Sequence, residues 1–109
     1  MTTVYMKQGD RLPALRMQLK DSTGTPIDLT GVTSVTFRMR DSSGSLVTLT
    51  GTATVVTAAT GHVQYAWGAG DTATVGGYSA EWACDFSGSV LTVPTRDYVT
   101  VQVVDALGV

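Results

Sequence analysis

Residues 77–86 read GYSAEWACDF. Tyr78, Ala80, Trp82, Cys84 and Phe86 fall on one side of an extended chain, and Ser79, Glu81, Ala83 and Asp85 on the other. Alternation with a period of two is the pattern of a half-buried strand, so this segment is expected to anchor a core. Tyr78 opens it after a loop that contains Asp71 and paired glycines, the place of a tyrosine corner, whose hydroxyl bonds the backbone a few residues upstream. Ala80 stands two residues later, where antibody domains carry a cysteine.

The same alternation recurs along the chain, punctuated by turn residues about every ten positions. Val4 and Met6 alternate with Tyr5 and Lys7 before Gly9-Asp10; Leu15, Met17 and Leu19 alternate with Arg16, Gln18 and Lys20. Val35, Phe37 and Met39 face one way, and Thr36, Arg38 and Arg40 the other. Leu46–Leu49 and 52–56 read as two short strands broken at Gly51 and paired as an edge hairpin. Val63, Tyr65 and Trp67 mark a central strand, Val90 to Val93 follow Ser87-Gly88-Ser89, Pro94 interrupts the ladder, and Val99, Val101 and Val103 form the last strand. Asp21-Ser22-Thr23-Gly24 and Asp41-Ser42-Ser43-Gly44 are turns in which the carboxylate bonds the local backbone and Gly accepts positive φ. Shared turn chemistry explains their likeness without an internal repeat. Gly68 to Gly77 reads as a flexible loop: it lacks the Lys-Ser/Thr ending of a phosphate-cradling loop, and no helix follows it.

Seven to nine short strands without a sustained helical period predict an all-β, immunoglobulin-like two-sheet antiparallel sandwich occupying residues 1–109 as one domain. The 109 residues suffice for an independent core, since folding at this size buries roughly two-thirds of the extended-chain surface. Only 15% of residues are charged, against about 25% in typical domains. The exterior is therefore neutral, built of Thr, Ser, Gly and Ala, and removing it from water carries little electrostatic cost. A net charge of −2 and the absence of a basic stripe argue against nucleic acid as a partner. No window resembles a membrane span or a signal peptide, so no membrane partner is expected, and synthesis is expected in the cytoplasm.

Catalytic chemistry has little to draw on. The chain holds one His and one Cys. His62 starts a strand on its wet side, and Cys84 lies on an apolar face where a thiol behaves as a small hydrophobe. Structural zinc would need about four Cys or His ligands. Asp41, Asp71, Asp85 and Asp97 do not follow the dense spacing of a calcium loop. Glu81, Asp85 and Asp97 are the carboxylates that a glycosidase pair would have to draw on, and nothing in the pattern selects them. The expectation is a protein that is not an enzyme and takes no cofactor or metal.

The segments MTTVYMKQGDRLPALRMQLKDSTGTPIDLTG (1–31), VTFRMRDSSG (35–44) and GYSAEW (77–82), with Pro94 followed by DYVTVQV (97–103), resemble the N-terminal domain of phage baseplate upper proteins. The likeness spans nearly the whole chain. It rests on Gly9-Asp10, the Asp21–Gly24 turn, Pro26-Ile27-Asp28-Leu29-Thr30-Gly31, the 35–40 strand and Gly77-Tyr78. The resemblance implies a virion structural protein of a tailed bacteriophage, localised to the virion after synthesis in the host cytoplasm. Its partners would be other phage structural proteins (capsid surface, head-tail junction, or tail and baseplate) and further copies of itself in a symmetric assembly. The relatives continue into a stalk, and this chain stops at Val109, so a receptor-binding fibre is not the expected role. Candidate interface residues are Val4 and Tyr5 near one terminus, Leu107 and Val109 near the other, and Arg38 and Arg40 on a wet strand face. The alternative is a carbohydrate-binding module, which would need Tyr65, Trp67, Tyr78 or Trp82 exposed for stacking on sugars.

Overall fold

The structure, a computed structural model, describes residues 3–93 and 99–107. Among the described residues eight strands form two sheets: β1 (Thr3–Lys7), β2 (Leu15–Gln18), β3 (Ser34–Arg40), β4 (Thr52–Thr57), β5 (His62–Ala66), β6 (Gly76–Phe86), β7 (Ser89–Val93) and β8 (Val99–Val104). The first sheet runs β1-β8-β6-β3, and the second runs β2-β5-β4. β6 is long enough to carry two neighbours on one side, β8 along residues 76–80 and β7 along residues 82–86. The second, fifth and fourth strands on one sheet and the third, sixth and last on the other match the membership of an immunoglobulin-like sandwich.

Two expectations are corrected. The sandwich is not wholly antiparallel, because β1 pairs with β8 in parallel, from Thr3↔Thr100 to Lys7↔Val104. The first strand thus joins the sheet of the last strand, a long-range choice that its own alternation does not encode. Leu46–Leu49 is not a strand and makes no hairpin with residues 52–56. A single bridge joins Arg40 to Leu46, Val47 N–H donates to the Met39 carbonyl at 2.9 Å, and β4 pairs instead with β5. Pro94 and Asp97 lie outside the described residues.

The core is filled from both sheets. Phe37 of β3 sits with ring centroids 4.8 Å from Trp82 and 4.8 Å from Tyr65, and Trp67 makes T-shaped contacts with Phe37 and Tyr65. The Trp82 indole N–H donates to Met17 Sδ at 3.3 Å, tying β6 to β2 across the sandwich. Trp82, Met39, Val63, Val101 and Cys84 are fully buried. Aromatic packing thus occupies the centre where a disulfide joins the sheets in antibody domains.

The local devices follow the chemistry of their residues. Asp21 Oδ1 accepts from Thr23 N–H at 2.9 Å, Thr23 Oγ1 at 2.6 Å and Thr25 N–H at 3.0 Å. Asp41 does the same with Ser43 N–H at 3.0 Å, Ser43 Oγ at 2.6 Å and Ser45 N–H at 3.0 Å. The Thr23 hydroxyl first, and the Ser43 hydroxyl in the second turn, hold both carboxyls below the usual carboxylate range. Tyr78 is a tyrosine corner: its hydroxyl donates to the Thr74 carbonyl at 2.7 Å, and its ring is 7% exposed. Tyr78→Phe is expected to cost about 1–2 kcal/mol, because it leaves that carbonyl under-satisfied without opening a cavity. Urea denaturation would check the figure, and an unchanged midpoint would show the bond to be dispensable.

Candidate functional site: the outer face of the first sheet

Pairing register gathers residues that are far apart in the chain. Thr3 faces Thr100, Thr100 faces Ser79, and Ser79 faces Arg40, so one row crosses all four strands β1, β8, β6 and β3. The next row is Tyr5, Gln102 and Gly77, and Glu81 stands opposite Arg38. Inter-strand spacing makes the four-strand row about 14 Å wide and the three-strand row about 10 Å wide. Tyr5, 70% exposed, bounds the face on one side, and the exposed Arg38 and Arg40 bound it on the other. Small side chains (Thr100, Ser79, Gly77) floor the space between. At Gly77 even a Cβ would press on the Gln102 amide at 3.2 Å.

Arg40 is held in place by its Nη1, which donates to the Gly44 carbonyl of the Asp41 turn at 2.8 Å. Beside it a groove of about 600 Å³ is lined by Arg38, Arg40, Ser42, Leu46, Ser79 and Glu81. Asp41 and Ser42 also border a second groove of about 400 Å³, which leads over Val75 and Gly77 to Tyr78. The charges lining the first groove balance, two guanidiniums against Glu81 and Asp41. Such a surface suits a polypeptide rather than a polyanion. The outer face of the second sheet is different. Its longer side chains are already hydrogen-bonded, with Arg16 Nε donating to Gln64 Oε1 at 2.7 Å and Gln18 Nε2 to the Thr60 backbone carbonyl at 3.0 Å.

Of the six candidate residues, Tyr5, Arg38 and Arg40 come together on this face. Val4 points to the other side of β1, half-buried and packed against the core, so it offers backbone rather than side chain. Leu107 is fully exposed beyond β8, at the end of the sandwich near Lys7, whose Nζ reaches the Asp105 carbonyl at 3.4 Å. Val109 lies outside the described residues. Register was the missing information for Thr100, Ser79, Gly77 and Gln102: each looks like ordinary strand filler until its cross-strand neighbours are known.

The loop before β6 is a further correction. Gly68 to Gly77 is not loose, because Asp71 is 4% exposed and accepts hydrogen bonds from three segments. Oδ2 takes the Tyr65 hydroxyl at 2.5 Å and Gly68 N–H at 2.7 Å; Oδ1 takes Thr50 N–H at 2.9 Å and Thr50 Oγ1 at 3.2 Å. The Tyr65 hydroxyl also accepts from Gly51 N–H at 2.9 Å. Burial pushes the Asp71 carboxyl up, but the Tyr65 hydroxyl and the Thr50 and Gly68 N–H groups outweigh it and hold the pKa below its ordinary value. Gly51 and Gly68 permit this close approach. A Cβ on Gly51 would collide with the Ala66 carbonyl and the Tyr65 hydroxyl, and one on Gly68 with Thr50. Thr72, also buried, donates its hydroxyl to the Asp10 carbonyl at 2.7 Å and so joins the same loop to the β1–β2 connection.

The remaining candidates for chemistry are placed as follows. His62 is exposed, with Nδ1 2.7 Å from Thr60 Oγ1. Cys84 is wholly buried, and burial raises its thiol pKa. Glu81 and Asp85 share the outer side of β6, four residues and so about 13 Å apart, which is wider than a glycosidase pair. No group of three metal-ligating side chains is found among the described residues. Tyr65, Trp67, Tyr78 and Trp82 are all buried, so none of them offers a platform for stacking a sugar. No family model matches the chain, and no curated protein is similar to it.

Proposed function

We propose that this chain is a non-enzymatic virion structural protein of a tailed bacteriophage, docking on a larger scaffold through the outer face of its first sheet. The observation that carries the docking reading is the small-residue floor bounded by Tyr5 on one side and Arg38 and Arg40 on the other. Tyr and Arg are the side chains that most often dominate binding energy, and uncharged surroundings are cheap to desolvate. The phage assignment rests on the resemblance of the segments quoted above. The capsid surface, the head-tail junction and the tail or baseplate are all sites where many modest contacts act together in a symmetric array.

Quantitative mass spectrometry of purified particles tests this reading. A copy number near that of the major capsid protein places the chain on the capsid; a number set by tail symmetry places it at the neck or baseplate. Its absence from particles would overturn the proposal. Tyr5→Ala and Arg40→Ala are each expected to weaken incorporation by about thirtyfold, corresponding to a hot-spot loss of about 2 kcal/mol. Folding should be little changed, since both side chains are exposed.

A further inference from the structure

The outer edge of β1 is unpaired among the described residues. Gln8 N–H continues the parallel ladder to the Val104 carbonyl at 2.7 Å, so Val4, Met6 and Gln8 direct their backbone groups at β8. By the alternation of a parallel ladder, Thr3, Tyr5 and Lys7 direct theirs away. Three of the other edges are blunted over part of their length. β4 carries a bulge between Val55 and Thr57, the end of β3 is covered by Leu46 and Val47, and β2 is only four residues long. β7 lies in line with β8 and is recessed one strand behind β1. β1 has no proline, no bulge and a single charge, Lys7.

We infer that β1 pairs with the β1 of a second copy of this chain, antiparallel about a twofold axis through Tyr5. In that register Tyr5 faces the partner's Tyr5, and Lys7 faces the partner's Thr3. All three outward-directed residues then form hydrogen-bonded pairs, giving about six backbone bonds. The charges select this register. Centring on Tyr5 separates the two lysines by about 13 Å, beyond the screening length of about 8–10 Å, whereas centring on Lys7 would set them face to face. The two docking faces become one continuous surface with a pair of tyrosines at its middle. The inference deepens the proposed function by naming one partner, yet it fails separately, because the isolated chain tests it without any particle.

Sedimentation velocity over a concentration series should show the wild-type chain moving from monomer to dimer. Tyr5→Pro removes an N–H that points away from β8, so it should remain monomeric with an unaltered circular dichroism spectrum. Should that variant misfold, cysteine substitution decides. Tyr5→Cys should oxidise to a covalent dimer, because directly opposed residues lie within disulfide reach, whereas Lys7→Cys, about 13 Å from its counterpart, should not. The native Cys84 is buried and does not compete. A wild-type chain that stays monomeric at its solubility limit, or a Lys7→Cys variant that cross-links as readily as Tyr5→Cys, would overturn the pairing. So would a monomeric chain whose Tyr5→Pro variant is lost from particles, since the edge would then belong to a different protein.

Discussion

Asp71→Ala is expected to lower the stability of the fold by about 3–5 kcal/mol, a large share of the roughly 5–15 kcal/mol that holds a small domain together. Three groups lose their acceptor at once: Gly68 N–H, Thr50 N–H and the Tyr65 hydroxyl. Gly68 N–H and the Tyr65 hydroxyl are buried, where a donor left unsatisfied costs about 1–3 kcal/mol, and the more exposed Thr50 N–H adds less. Asp71→Asn keeps the volume and one carbonyl acceptor, so it should cost less. The pH dependence gives a second signature. The folded carboxyl titrates below its unbonded value of 3.8, so its stabilisation is complete above that pH and is lost as the pH falls through the lower folded value. Urea midpoints of the wild type and Asp71→Asn should therefore differ most near neutrality and converge in strong acid. A constant gap down to the acid limit would mean that the carboxylate charge contributes nothing.

Trp82→Ala is expected to cost about 3–5 kcal/mol, the range for removing a large buried aromatic. Trp82 is fully buried, touches Phe37 and bonds Met17 Sδ, so the cavity would lie between the sheets, where neither can close on it. Trp82→Phe should recover part of the loss and leave Met17 without its donor. Thermal unfolding followed by near-ultraviolet circular dichroism would read both. An alanine variant as stable as the phenylalanine one would show that the centre is not packed as described.

What the sequence disclosed was local. Alternation in 4–7, 15–20, 35–40 and 78–86 names the inward side chains, because strand period alone decides which face they take. The two Asp turns are legible because the side chain and the backbone groups it bonds lie within four residues. Tyr78 is legible for the same reason, its partner Thr74 being four residues back. The misses were non-local. Nothing in TVYMK tells a parallel partner from an antiparallel one, and Leu46–Leu49 has the composition of a strand without a neighbour to pair with. Asp71 sits among glycines and small residues that read as a mobile loop; its partners Thr50 and Tyr65 are identified only by folding. The candidate face was half visible for the same reason, since Arg38 and Arg40 declare a wet side while the row joining Arg40 to Thr3, and the one that sets Tyr5 beside Gln102 and Gly77, exist only in the register.

The proposed docking role requires large side chains packed between the sheets and a neutral exterior on the first sheet left free to make contacts. Hydroxyl-radical footprinting of the chain, free and in assembled particles, bears on that requirement most directly. Protection is expected at Tyr5 and along the floor between it and Arg40, while Arg16, His62 and the rest of the second sheet's outer face react equally in both states. Protection confined to the second sheet, with Tyr5 as reactive in particles as in solution, would contradict the account.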